Sequence, residues 1–350
     1  MVSIGRKKIG KGQPTYIIAE AGVNHNGKLS LAKKLVDAAK AAGADAVKFQ
    51  TYKTEKLITK KAPKPEYQTK NIGKKKSQFQ MLKELELSEK EFKQLKKYCD
   101  KKKISFFSTP YDNESADMLD KLGVPAYKFS SIEVVNHPFI EYVLKKKKPL
   151  ILSVGMSTMK EIAEAVKVAR KTGYIKNLIL MQCQFNYPAR FEDVNLRAMT
   201  TIMKRFKLLT GYSDHTPGII APVAAVALGA VVIEKHFTLS RKLPGPDHKA
   251  SLEPDELKEM VEAIRNTEKL LGSAVKKPFG AEKKNIKVSR KSIVAAKDIK
   301  KGEMMTIEKL AYKRPGKGLF PTYANINKIL GRKARKNIKK DSLIELRIVG

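Results

Sequence analysis

The 350-residue chain has no tryptophan and only two cysteines, Cys99 and Cys183, far apart in sequence. That excludes a disulfide framework and a Cys-x-x-Cys zinc site, and it makes a reducing cytoplasm the expected compartment. No apolar run approaches the roughly 18 to 20 residues that span a bilayer. The opening segment, Met1 to Lys8, has basic residues with no apolar stretch behind them, so no secretory signal is expected. Walker loops, Gly-x-Gly-x-x-Gly turns and Gly-x-Ser-x-Gly elbows are also missing, and with them the usual signatures of nucleotide hydrolysis, dinucleotide redox and serine hydrolysis. Acidic residues are scarce: 35 Asp and Glu face 71 Lys and Arg, a formal net charge of +36. Such a field attracts any anion. The surplus is spread along the chain, with short runs at Lys74–Lys76, Lys101–Lys103 and Lys145–Lys148 that read as solvated faces, so charge alone names no function.

What is present is a folded protein, with 42% hydrophobic residues and ordinary glycine and proline contents. Up to residue 236, short β-rich runs alternate with amphipathic stretches. The runs are 16–20, 46–50, 105–109, 126–131, 150–155, 178–183, 208–212 and 231–236. Helical patterns cover 31–42, 89–101, 159–171 and 217–228, and a well-formed last helix starts at Pro254 and ends before Gly272. Eight strand-helix units in about 250 residues predict a (β/α)8 TIM barrel over 1–272 rather than an open doubly wound sheet. Residues 273–284 have linker composition. Residues 285–350, with short β runs at 292–296 and 343–349, predict a small β-rich second domain. The stretch 51–88 is too long for a plain connection and is expected to form a lid over the catalytic face.

In a barrel, alternate strand residues point inward and those at the carboxyl ends line the active site. Polar residues sit at those ends: Glu20, Lys48 with Gln50, Lys128 with Ser130 and Ser131, and Ser153. They are followed by Gln182, Gln184 and Asn186, Ser213 with His215, and Glu234 with His236. Burying such groups is costly unless they are satisfied, so seven coincident polar ends point to one site. Two lysines among hydroxyls and amides suit a phosphate monoester or carboxylate. His215 and His236, on neighbouring strand ends, form a candidate pair for Mn2+, Fe2+, Co2+ or Zn2+. His25 reads as either a ligand-loop residue or a turn former, His137 as a helix cap, and His248 as part of a loop above the last strand. A cationic pocket beside a two-histidine metal and Glu20 suits the joining of a phosphorylated enol to a metal-polarised carbonyl.

Six segments carry a resemblance. They are Ile18-Ala19-Glu20-Ala21-Gly22-Val23-Asn24-His25-Asn26-Gly27, Val47-Lys48-Phe49-Gln50-Thr51, Tyr127-Lys128-Phe129-Ser130-Ser131, Gly211-Tyr212-Ser213-Asp214-His215-Thr216, Ile233-Glu234-Lys235-His236-Phe237-Thr238 and Gly245-Pro246-Asp247-His248-Lys249-Ala250-Ser251. Together they resemble the sialic acid synthase (N-acetylneuraminate synthase) family, and Arg314-Pro315-Gly316-Lys317-Gly318 resembles its C-terminal antifreeze-like (β-clip) domain. The resemblance implies condensation of phosphoenolpyruvate with N-acetylmannosamine or its 6-phosphate, a divalent metal (Mn2+ first, Mg2+ or Co2+ as alternatives), and a cytoplasmic, domain-swapped homodimer. By the same resemblance, Lys48, Lys128, Ser131, Ser153 and Ser213 would hold phosphoenolpyruvate, with Asn186 in a strand-six loop that departs from the family's His-Cys-Thr pattern. His215 and His236 would carry the metal. Glu20, Gln50, Tyr187 and Asp247 would surround the sugar and the attacking water, and Arg314 would reach the sugar's N-acetyl group from the partner's small domain. Rival readings are a synthase for another nonulosonic acid, legionaminate before pseudaminate, acting on a diacetamido sugar, and a polyanion-binding protein. Nucleic acid is expected only as a nonspecific, salt-sensitive partner, and no membrane is expected.

Overall fold

The computed structural model describes residues 1–73 and 75–350, so the basic run at Lys74–Lys76 begins outside the described residues. The chain forms two compact units, Met1–Gly272 and Ser273–Gly350. The first opens with a hairpin, β1 (Val2–Ile4) and β2 (Lys7–Ile9). Then follow β3 (Tyr16–Gly22), α1 (Leu29–Ala41), β4 (Ala46–Thr51), α2 (Thr54–Leu57), α3 (Glu66–Ile72), α4 (Gln78–Leu85), α5 (Glu89–Lys102) and β5 (Ser105–Pro110). Next come α6 (Asn113–Lys121), β6 (Tyr127–Phe129), α7 (His137–Leu144), β7 (Leu150–Ser153), α8 (Met159–Lys171) and β8 (Leu178–Cys183). The unit closes with α9 (Arg197–Phe206), β9 (Leu209–Asp214), α10 (Ile220–Ala227), β10 (Val232–His236) and α11 (Pro254–Leu271).

Strands β3 to β10 form one parallel sheet in the order β5-β4-β3-β10-β9-β8-β7-β6, and the end strands β5 and β6 pack side by side to complete the barrel. The eight predicted strands are the eight that form it. Strand side chains divide by parity. Ile17, Ala19, Val47, Phe49, Leu150, Leu152 and Ile233 face the helices in the main core. Tyr16, Ile18, Ala46, Phe107, Ala126, Ile151, Ile179, Met181 and Val232 fill the barrel interior, where Val2, Ile4 and Ile9 of the hairpin join them. That hairpin thereby seals the barrel's apolar end.

Helix starts carry their own signals. Ser88 with Glu91 and Thr158 with Glu161 make reciprocal capping boxes on α5 and α8, each satisfying orphan amides of the first turn. The cap of α7 is Asn136, whose side chain accepts from the Phe139 amide. This corrects the expectation for His137, which is merely the first residue of that helix.

Among its described residues the long stretch 51–88 carries three short helices, α2 to α4, joined by loop. Their apolar residues, Leu57, Met81, Leu82 and Leu85, cluster with Val23, Tyr52 and Tyr111.

The second unit contains α12 (Ala281–Ser289), an antiparallel pair β11 (Ser292–Ala295) and β12 (Leu310–Lys313), and α13 (Tyr323–Asn327). Residues 343–349, expected as a strand, form isolated bridges at Leu343 and Val349 around a 3-10 turn at Leu346–Ile348. Their backbone partners are scattered, so no ladder forms. Among the described residues no helix is long and apolar enough to cross a membrane.

Candidate active site

At the carboxyl end of the strands, parity delivers charged groups where the same rows were apolar two residues earlier. Glu20, Lys48, Lys128 and Glu234 come from β3, β4, β6 and β10, and all are buried. Lys48 Nζ lies 2.9 Å from Glu20 Oε2 and 3.6 Å from Glu234 Oε1, and Lys128 Nζ lies 3.4 Å from that same Glu234 oxygen. Hydroxyls complete the cage. Lys48 donates to Thr109 Oγ1 at 2.9 Å, Lys128 donates to Ser153 Oγ at 2.7 Å, and Ser213 donates to Glu234 at 3.3 Å. Ser131 Oγ accepts from the Gly155 amide at 2.9 Å, and Gln50 Nε2 reaches Glu20 Oε1 at 3.4 Å.

Burial disfavours every charge here, and the ion pairs offset it unevenly. Burial raises the Glu20 carboxyl above its ordinary value, with Lys48 opposing. Burial also works against ionisation of Glu234, but Lys128 and Lys48 outweigh it and hold that carboxyl low. For Lys128 burial wins and the ammonium is lowered, whereas the two carboxylates reverse the effect of burial on Lys48 and raise it. The cage is a balanced set of two ammonium and two carboxyl groups.

His215 and His236 stand beside it, with ring centroids 5.4 Å apart. His215 Nδ1 bonds the Gln184 carbonyl at 2.5 Å, which leaves Nε2 as the nitrogen available to a ligand. His236 Nδ1 is buried without a partner. Burial holds both imidazoles neutral, His215 at about 4 and His236 well below its ordinary value. Among the described residues no third His, Cys, Asp or Glu completes a three-ligand cluster. Two neutral imidazoles, one with an orphaned nitrogen, fit a divalent ion that keeps open positions rather than a closed structural site. Such an ion could be held by His215 and His236.

Tyr187 packs over this pair, with its ring 3.9 Å from His215 and 5.0 Å from Tyr67 of α3. Asp247 is buried, its Oδ1 has no partner, and burial pushes its carboxyl up to about 7. It is near enough for its charge to help raise the Tyr67 and Tyr187 phenols, after burial itself.

Of the residues expected from sequence, the barrel brings Glu20, Lys48, Gln50, Lys128, Ser131, Ser153, Tyr187, Ser213, His215 and His236 into one lining. Asn186 is not brought in. It is exposed and lies outside that lining, as does the buried Asp247. Gln182 and Gln184 turn away, donating to the carbonyls of Val194 and Asp193, because Cys183 occupies the inward position of β8. Arg314 is exposed, next after β12 in the second unit. His25 is a turn former, its Nδ1 accepting from the Gly27 amide at 3.1 Å. Thr109, Tyr111, Cys183 and Glu234 were not assigned roles in advance. Glu234 was findable, since it shares parity with His236 on β10, and so was Thr109, which pairs in register with Gln50 of β4. A larger groove of about 1220 Å3 opens at the opposite end of the barrel, beside Gly10–Thr15, but none of its charged side chains is buried.

A family model described as the NeuB family matches residues 35–276, and a SAF domain model matches 290–346. The N,N'-diacetyllegionaminic acid synthase of Campylobacter jejuni is 49% identical over 94% of this chain and 98% of its own. The N-acetylneuraminate-9-phosphate synthase of Homo sapiens is 35% identical over 96% of this chain and 93% of its own. The crystal structure of a Leptospira borgpetersenii N-acetylneuraminic acid synthetase, in complex with citrate, superposes with a TM-score of 0.72 at 36% identity, covering 81% of this chain and 94% of that one.

Proposed function

The chain belongs to the NeuB family, and from that premise we propose that it condenses phosphoenolpyruvate with an open-chain acetamido hexose and water, giving a nonulosonic acid and phosphate. The observation that carries this is the Lys48–Lys128–Glu20–Glu234 cage set directly against two neutral imidazoles at the mouth of a barrel. An isolated pair of lysines would bind any anion. Lysines already balanced by carboxyls release their charge to an incoming polyanion only where hydroxyls replace its hydration, and Ser131, Ser153, Ser213 and Thr109 stand there to do so.

In this reading C3 of phosphoenolpyruvate attacks the aldehyde carbon of the sugar. Water adds at C2, and phosphate leaves with cleavage of the C–O bond. Lys48 and Lys128 hold the phosphate and carboxylate, so the enol is presented in one orientation. Glu20, raised by burial and held by Gln50, takes the proton of the attacking water. Asp247, poised at about 7 with a free oxygen, hands a proton to the oxygen that was the aldehyde. Tyr187, packed against His215 and His236, screens that pair from bulk water. A divalent ion held by His215 and His236, Mn2+ by preference, would supply Lewis-acid polarisation of that aldehyde. Arg314, from the partner's small domain in a domain-swapped dimer, is assigned to the acetamido group.

For the sugar, we favour a hexose bearing two acetamido groups, because the legionaminic relative is far closer in sequence than the human one, at like coverage. N-acetylmannosamine, free or 6-phosphorylated, is the second reading, supported by the human relative. The test is phosphate release from phosphoenolpyruvate across a panel of hexosamines, with and without added Mn2+. Turnover with the diacetamido sugar at least tenfold above N-acetylmannosamine is expected. The reverse order would replace that substrate, and no release with any hexosamine would end the synthase reading.

A further inference from the structure

Two of the segments singled out in the sequence, Asn24-His25-Asn26-Gly27 and Gly245-Pro246-Asp247-His248, supply only Asp247 to the chemistry above. The structure brings them together. After β10 the chain makes an excursion over residues 239–251 and returns, with Leu252 bridging Phe237 and its amide bonding the His236 carbonyl. Asp247 stands near the end of that excursion. A loop of this length would ordinarily leave a carboxylate free to swing, yet this one is tied at three points.

His248, with no exposed surface, is bonded through both ring nitrogens: Nδ1 to Thr238 Oγ1 at 2.6 Å, and Nε2 to Asn26 Oδ1 at 3.1 Å. An amide oxygen only accepts, so Nε2 carries the proton and Nδ1 accepts from the Thr238 hydroxyl. Ser251 Oγ donates to the Asp247 carbonyl at 2.8 Å and itself accepts from Asn24 Nδ2 at 3.0 Å. From α3, Asn71 donates to the Pro246 carbonyl at 2.6 Å. Gly245 leaves the room the ring needs, since a Cβ there would lie 2.5 Å from His248 Cδ2 and 2.9 Å from Asn26 Oδ1. Both ring nitrogens of His248 and the Ser251 hydroxyl are thus partnered, while Asp247 Oδ1, buried, is not.

We infer that Asn24, Asn26 and His248 form a latch between the loop after β3 and the loop after β10, a set of positioning residues whose work is to aim the free carboxyl oxygen of Asp247 at the aldose. His248 is on this reading neither a metal ligand nor a proton carrier. The inference rests on the synthase reading for what Asp247 faces, but the latch itself rests on these bonds alone.

The test compares His248→Leu, His248→Gln and Asn26→Ala with the full-length wild type. The readouts are kcat and KM for the aldose, the dissociation constant of phosphoenolpyruvate by calorimetry, and amide hydrogen exchange over 245–251. His248→Leu is expected to lower kcat/KM for the aldose at least tenfold and to speed exchange at Asp247–Ser251 at least tenfold, with phosphoenolpyruvate affinity within twofold of wild type. His248→Gln, which keeps an N–H at the Nε2 end, should recover at least half of the lost activity on a logarithmic scale. A folded His248→Leu within twofold of wild type, or one whose phosphoenolpyruvate affinity falls in step with its turnover, overturns the latch. Should His248→Leu not fold, Asn26→Ala decides: a threefold or larger fall confined to the aldose supports the inference, and an unchanged enzyme overturns it. If wild type turns over no aldose, the synthase reading fails and loop exchange in the variants alone judges the latch.

Discussion

The two ends of the barrel interior are built by the same strands with the same parity, yet they are chemical opposites. Stepping two residues toward the carboxyl end turns Ile18 into Glu20, Ala46 into Lys48, Phe107 into Thr109, Ala126 into Lys128, Ile151 into Ser153 and Val232 into Glu234. The lower row is dry, with the Val2, Ile4 and Ile9 side chains closing it. The upper row spends desolvation energy on four ionisable groups that stabilise one another only because they meet. The difference teaches that the base of this barrel keeps the fold and the mouth carries the chemistry, with a boundary one strand step wide.

The largest expected effect comes from making the mouth resemble the base. Lys128→Met with Glu234→Leu removes one ammonium and one carboxyl together and leaves the 2.9 Å Lys48–Glu20 pair intact. Replacing a buried pair with apolar groups of like volume is commonly neutral or stabilising, while each lost electrostatic contact to the reacting anion costs about 10²- to 10³-fold. Turnover should fall by roughly 10³-fold or more with Tm unchanged or higher. A double variant that keeps turnover, or melts well below wild type, breaks the division of labour.

The converse substitution acts on the base. Ile151→Ala removes a fully buried side chain in the dry layer, where such truncations cost about 2 to 5 kcal/mol. Denaturant melts should show that loss, while kcat and KM measured well below the melting range stay within about twofold. A tenfold kinetic change would mean that the two ends are mechanically coupled.

A smaller effect on stability, separate from the loss of turnover that its proton-transfer role implies, is expected from Asp247→Asn, and it depends on pH. Burial raises this carboxyl from 3.8 to about 7. A group held higher in the folded state favours folding below its unfolded value and loses that contribution as pH rises through the folded one. The wild type therefore pays a stability penalty at pH 8 that is absent at pH 4, and the amide, which does not titrate, escapes it. Asp247→Asn should raise Tm relative to wild type by on the order of 10 °C at pH 8, at about 2 to 4 °C per kcal/mol, and by much less at pH 4. Equal shifts at both values would mean that the carboxyl is not raised.

Much of this was legible in the sequence. Helix α8 runs from Met159 to Lys171, and β8 from Leu178 to Cys183, as the periodicity predicts. Most of the cage follows from parity alone. The hairpin at Val2–Ile9 was not read, because Val2, Ile4 and Ile9 are a weak local pattern whose meaning comes from a barrel base distant in the chain. The helices of 54–85 were missed for a similar reason: α2 spans four residues and α3 seven, and they are held against Val23, Tyr52 and Tyr111 rather than by a long apolar stripe of their own.

The strand-six reading failed differently, and it yields the smallest prediction. Gln182, Gln184 and Asn186 alternate with the period of an inward polar row, just as Lys48 and Gln50 do. On β8, however, the inward row is Ile179, Met181 and Cys183, so the polar row faces outward, where Gln182 finds the Val194 carbonyl at 3.2 Å and Gln184 that of Asp193 at 3.3 Å. Polarity with period two reports that one face is polar and not which face it is. The next-door pair makes this measurable. Gln182→Ala loses one partly buried hydrogen bond, about 0.5 to 1.5 kcal/mol of stability, and should leave kcat/KM within twofold. Cys183→Leu places added volume against Ser131, Ser213 and His215 and should lower kcat/KM more than Gln182→Ala does, at similar Tm. If the order is reversed, the polar row of β8 belongs to the mouth after all, and the strand-step boundary between base and chemistry does not hold on this strand.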